Sequence, residues 1–215
     1  MNKNAYKDFM ASLLPTIDPD TILGLKMSEI KKMMKYYPDE QAFFLQVPHT
    51  YFEENHLHAL LIQYRLSDFD AAMKETLHFL PYIDNWAVCD SFRPKALKSD
   101  PERLLLYIHD WLQSDHVYTI RLGLVLLLNW YLDENFKPVI LDWVQAIDSK
   151  EYYVCMACSW FWSIALIKQY ERVIPYFTSN RLPLWIHNKA IQKACESLQV
   201  SKEDKTYLKS LKRKK

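Results

Sequence analysis

Apolar residues recur at three- and four-residue spacing along most of the chain, the period of an α-helix that buries one face. Lys3 to Leu14 carries Tyr6, Phe9, Met10 and Leu13 on one stripe, and Asp18, Pro19 and Asp20 break it. Ile22 to Leu25 is a short apolar segment. Ser28 is positioned to cap a helix over Glu29 to Lys35, which stops before Pro38. Pro38 to Gln46 reads as another short helix, closed by Pro48.

From there the elements fall into pairs. Thr50 caps a helix through Tyr64, and Ser67 or Asp68 starts its partner, which ends before Pro81. Asn85 starts a helix to Phe92. Asp100-Pro101 starts the next, to Leu112, since proline suits the first helical turn. Thr119 to Leu132 is followed by Phe136 to Ile147, Glu151 to Lys168 by Gln169 to Phe177, and Leu184 to Leu198 by Lys202 to Leu211, with Ser201 as cap. The first helices begin near residues 51, 85, 119, 151 and 184, a period of roughly 33 residues that marks a stacked helical repeat. Tetratricopeptide and ankyrin consensus residues are absent. The expected fold is all-α: an α-solenoid of stacked antiparallel helix pairs, HEAT-like, with a concave groove, forming a single domain over residues 1–215.

Composition narrows the function classes. Two glycines in 215 residues leave no glycine-rich phosphate loop, because Gly24 and Gly123 each stand alone. Half the residues are hydrophobic, enough for a real core. Met1 to Asp8 is polar and charged, unlike a signal peptide. The longest apolar run, Leu122 to Leu128, is far too short to cross a bilayer. A reducing cytoplasmic setting with free thiols is expected for Cys89, Cys155, Cys158 and Cys195. Cys155-Met-Ala-Cys158 lies in a continuous helical segment without a second ligand pair, so the two are read as small core residues, and neither a metal nor a cofactor is expected. The formal net charge is +1. Lys26, Lys31, Lys32 and Lys35 cluster near the start, and Lys202, Lys205, Lys209, Lys212, Arg213, Lys214 and Lys215 near the end. Glu102 to Tyr170 has five basic residues against eight acidic. A strong DNA binder usually carries a basic stripe across its whole working face.

The stretch richest in chemistry is Asn85-Trp86-Ala87-Val88-Cys89-Asp90. Trp86 and Asp90 are one turn apart on one helix face, and an aromatic plane beside an anion suits a planar cation. A core tryptophan with a solvated aspartate is the plainer reading. Trp86, Asp90, Arg121 and Trp160 lie on the first helices of successive pairs, so a solenoid brings them to one face. Trp160 and Trp162 read equally as core, and Arg121 equally as a salt-bridge partner of Asp90 or Asp115. Tyr152 and Tyr153 either line the groove or end the preceding loop. His56 and His58 sit two apart and do not share a helix face. The C-terminal lysine-rich run reads as a solvated, frayed tail.

Several of these segments, in this order, resemble the AlkD-type HEAT-like repeat DNA glycosylases, the DNA alkylation repair family. Ile22-Leu23-Gly24-Leu25-Lys26 is similar to the family's "FLGI" segment, and Asn85-Trp86-x-x-x-Asp90 to its catalytic pair. Ile120-Arg121 and Ser159-Trp160 match on the next two repeats, so the resemblance covers nearly the whole chain. It implies excision of cationic purines alkylated at N3 or N7 from double-stranded DNA, and a monomer is expected because solenoids with capped ends are often monomers. Trp86 and Trp160 would contact the sugar and backbone at the lesion, Asp90 would stabilise the oxocarbenium-like sugar and orient water, and Arg121 would hold a phosphate. The chain departs from the family where DNA is held. Ala11 to Thr21 replaces a basic, aromatic helix and contains Pro15, Pro19 and no Lys or Arg. Cys155, Met156 and Ser163 stand where cations are expected, and Leu122 follows Arg121. Each lost cation weakens DNA affinity. The expectation is a diverged member with weak DNA binding and weak or lost excision, beside two other readings: an ordinary glycosylase, or a scaffold that binds a protein or peptide.

Overall fold

A computed structural model describes residues 3–214. All the regular structure among these residues is helical, as expected: thirteen α-helices in adjacent pairs, with no strand. The chain clusters into two compact units, residues 1–104 and 105–215. No described helix is long and apolar enough to cross a membrane.

Unit 1 holds α1 (Lys3–Leu13), α2 (Met27–Tyr36), α3 (Glu40–Phe44), α4 (Phe52–Arg65), α5 (Phe69–Phe79) and α6 (Trp86–Ser91). Its centre is α4, which packs against α2, α3, α5 and α6 and is buried through Leu57–Ile62. Helix ends follow their capping chemistry. Asp39, Asp68 and Asn85 each accept from a backbone N–H in the following turn. The α2 start differs from the sequence expectation: it begins at Met27, not Glu29, because the Glu29 carboxylate reaches back to the Lys26 N–H (2.8 Å). A 3₁₀ turn at Lys95–Ser99, which the apolar pattern does not signal, packs on α4 and α5.

Two polar features shape this unit. The first is Glu53, 3% exposed at the start of α4. Its carboxylate accepts from three consecutive backbone N–H groups, Leu23 (2.9 Å), Gly24 (2.8 Å) and Leu25 (3.1 Å). Gly24 bends there with φ +77°, and a Cβ would lie 2.8 Å from the Lys3 carbonyl oxygen. Glycine is therefore required twice, for the positive φ and for the approach of α1. The second is His58, stacked on Phe79 (4.0 Å between centroids) and bonded through Nδ1 to His49 Nε2 (2.8 Å). Burial, with His49 and His78 as like charges, pushes its imidazole down to about 3. Burial pushes His56 down to about 4.

Unit 2 contains α8 (Val117–Trp130), α9 (Val139–Gln145), α10 (Tyr152–Lys168), α11 (Tyr170–Thr178), α12 (Leu184–Glu196) and α13 (Lys202–Ser210), preceded by α7 (Pro101–Trp111). Helix α10 packs between α8 and α12, with α11 against α10 and α13 against α12. This is the stacking of helix pairs that the period predicts. The core is Leu122–Leu128, Val154, Phe161, Trp162, Phe177 and Ile191. Trp162 is packed among Phe161, Tyr176 and Phe177, so it is core, whereas Trp160 is only half-buried. Cys158 is buried, which pushes its thiol up, and Cys155 donates to the Ser149 carbonyl.

The C-terminal tail corrects a sequence expectation, since Leu211–Arg213 is docked and not frayed. His187 Nε2 bonds the Leu211 carbonyl (2.8 Å), and the Asn188 side chain both donates to and accepts from the Arg213 backbone (2.8 and 2.9 Å). The Arg213 guanidinium donates to the Leu182 carbonyl (2.8 Å).

The polar features of unit 1 can be tested by substitution. Gly24→Ala and Glu53→Gln should each lower the free energy of urea unfolding by about 2–4 kcal/mol, the first through strain and clash, the second through unmade backbone bonds. Wild-type stability for either would show that this bend is not tied down as described. The buried imidazoles stay neutral while unfolded histidines titrate near 6.5. The unfolded chain therefore binds more protons between about pH 6.5 and 3, and stability falls as pH falls through that window. Between pH 7 and 5, His58→Phe should lose less stability than wild type, by roughly 1–2 kcal/mol. Equal losses in paired denaturant titrations would remove His58 from the explanation.

Candidate functional site

The short helix α6 is built around its cap. Asn85 is fully buried, accepts from the Val88 N–H through Oδ1 (3.0 Å) and donates through Nδ2 to Asp84 (2.8 Å). Val88 and Cys89 turn into the core. Trp86 and Asp90, four residues apart, share the opposite face and are both half-buried. The core reading of Trp86 therefore fails, because its ring sits at the boundary with solvent. Its indole N–H donates to the Leu13 carbonyl at the end of α1 (3.1 Å). That bond satisfies the one polar group of the indole and fixes the ring's direction, while leaving the π-face uncommitted by hydrogen bonding.

In unit 2, Arg121 lies in the first turns of α8 and is 6% exposed. Its guanidinium donates to the Tyr153 carbonyl in the first turn of α10 (2.7 Å). Trp160 sits mid-way along α10, half-buried, and its carbonyl accepts from Ser163 Oγ (2.7 Å). Within unit 1 Trp86 and Asp90 share one face, and within unit 2 Arg121 is joined to Tyr153, on the same helix as Trp160.

Sequence reasoning misses three contributors. Glu53 reads as an ordinary acidic first-turn residue, yet it holds the segment under α1 and so indirectly the Leu13 carbonyl. Leu13 contributes only backbone, which no side-chain pattern signals. Tyr153 reads as a groove or loop residue, and it is its carbonyl that orients Arg121.

A helical-repeat protein with a tryptophan and an aspartate displayed on one face of a capped helix is of the class that the sequence pattern suggests. A sequence model of the DNA alkylation repair enzyme family matches residues 1–194, and the chain belongs to that family. A search among curated proteins finds no match.

Asn85→Ala should remove the buried cap, lower stability by about 1–2 kcal/mol and loosen α6. Amide exchange at Val88 and Cys89 reads this directly, and unchanged protection there would show that the cap does not hold the helix.

Proposed function

We propose that this protein acts on alkylated DNA as a slow glycosylase-like enzyme with weak affinity for duplex. The supporting observation is the half-buried Trp86–Asp90 face of α6, oriented by the Asn85 cap and by the Leu13 carbonyl. The substrate class is a purine made cationic by alkylation at N3 or N7. In the reaction the glycosidic C1′–N bond breaks and its electron pair goes to the purine, cancelling the base's positive charge. Positive charge develops on the sugar. The faces of Trp86 and Trp160 stabilise that charge, and the Asp90 carboxylate stabilises it further and orients the water. The water oxygen forms the new bond to C1′ and its proton is released to Asp90 or solvent. Arg121, set by Tyr153, supplies a phosphate contact.

Weak duplex affinity is supported by charge placement. Helix α1 ends in Ala11-Ser12-Leu13, and no basic residue follows until Lys26. The phosphate neutralisation that drives duplex binding is correspondingly small in that segment.

Single-turnover release of N7-methylguanine from a duplex, with protein in large excess, tests this reading. Release should exceed the spontaneous rate and fall about 100-fold or more in Asp90→Asn. Release no faster than the spontaneous rate would overturn it and favour the scaffold reading.

A further inference from the structure

The first turns of α8, α10 and α12 lie side by side and carry a row of aromatic rings. Tyr118 touches Tyr153 (5.9 Å between centroids), Tyr153 touches Tyr152 (5.3 Å), and Tyr152 touches Trp185 edge-on (6.1 Å). The row starts at the buried Tyr118 and ends in two exposed rings, Tyr152 59% and Trp185 45% exposed. The other tryptophans are buried or half-buried, so a widely exposed indole beside an exposed tyrosine stands out.

Next to Trp185 is an open cleft of about 480 Å³. Leu184, Trp185, Asn188, Lys189 and Gln192 of α12 form one wall, and Lys212 and Arg213 of the docked tail form the other. Among the described residues no acidic side chain lines it. The nearest acids by sequence are committed or offset: Glu196 accepts from Gln192 (3.0 Å), and Glu151 precedes Tyr152 on the exposed start of α10. Arg213 is held by Asn188 and by the Leu182 carbonyl, so one cation is fixed in place and not left on a mobile tail. The N-terminus of α12, at Leu184 and Trp185, adds partial positive charge there.

An exposed indole in the cleft wall, a second exposed ring edge-on beside it and three cations without a lining acid describe a site for a flat base attached to phosphates. We propose that the Trp185 cleft is a binding site for an unpaired DNA strand, with one base stacked on Trp185 against Tyr152 and flanking phosphates on Lys189, Lys212 and Arg213. Paired bases in a duplex do not offer a free face, so the cleft selects single-stranded segments such as a gap or an overhang. Lys212 and Arg213 lie beyond the residues that the family match covers, so this grip is carried in part by the chain's own C-terminal segment. The assignment rests on DNA being the partner, but not on excision.

The test is fluorescence anisotropy of the full-length protein with a labelled oligothymidylate of about 12 nucleotides, beside a blunt duplex of the same length. The single strand should bind more tightly than the duplex. Trp185→Ala should weaken strand binding about tenfold, while Trp185→Phe retains most of it. Lys189→Gln and Lys212→Gln should each reduce the slope of log affinity against log salt by about 0.7. These side chains reach the surface, so circular dichroism and melting should not change, which separates lost binding from lost fold. No saturable strand binding at low salt would overturn the site. So would equal binding by wild type and Trp185→Ala, which would mark simple polyanion adsorption. Excision is read independently: a protein that releases N7-methylguanine but ignores the single strand refutes only this cleft. One that binds the strand through Trp185 and excises nothing refutes only the glycosylase proposal.

Discussion

The Glu53 carboxylate is the constraint on which unit 1 depends. A buried anion must be compensated by hydrogen bonds, and Glu53 obtains three from one bend of backbone. That bend is available only because Gly24 takes a positive φ, and only a residue without Cβ lets α1 lie against it. Position then propagates through bonded contacts: Glu53 holds the bend, the bend seats α1, and the end of α1 presents the Leu13 carbonyl to the Trp86 indole. The family-like Ile22–Lys26 segment thus has a structural reason. It contributes backbone N–H groups and a close approach, and no chemistry of its own.

Unit 2 solves a related problem with different groups. Helix α8 is buried along most of its length and α10 along about half, so many of their side chains pack and carry little chemistry. Their first turns carry polar and aromatic groups that reach from one helix to the next. There Arg121 crosses from α8 to the Tyr153 carbonyl on α10, and the tyrosines continue to Trp185 on α12. A guanidinium bonded to a carbonyl keeps its charge while losing its freedom, which suits a residue that must present the same donors each time.

The helices are legible in the sequence because their limits are local. Asp68, Asn85, Pro101 and Ser201 cap or open helices with atoms a few residues away, and a sequence displays that directly. The departures arise where a distant or competing partner decides the outcome. Glu29 moves the start of α2, and Asn188, twenty-five residues away, captures Arg213 and orders a tail that composition alone describes as frayed. Of the candidate site, the Trp86–Asp90 spacing is visible because α6 is a helix. The Leu13 and Tyr153 carbonyls are not, since every residue has one and only the fold determines which matters.

The distribution of cations bears most strongly on function. The proposed action on DNA needs some hold on phosphate, because stacking and a single carboxylate do not bring a polyanion to the surface. In this chain the segment between α1 and α2 is acidic, with Asp18 and Asp20, whereas the C-terminal segment is basic and fixed to α12. Cations are therefore absent between Leu13 and Lys26 but present at the end of the sequence, where Arg213 is fixed to α12. An exposed aromatic ring alone would say little, since single apolar side chains on a surface are ordinary. Here the exposed Trp185 ring, the fixed Arg213 and the acid-free cleft occur together. An exposed ring beside cations is the chemistry by which a base and its flanking phosphates are held together, and the proposed strand site rests on that combination.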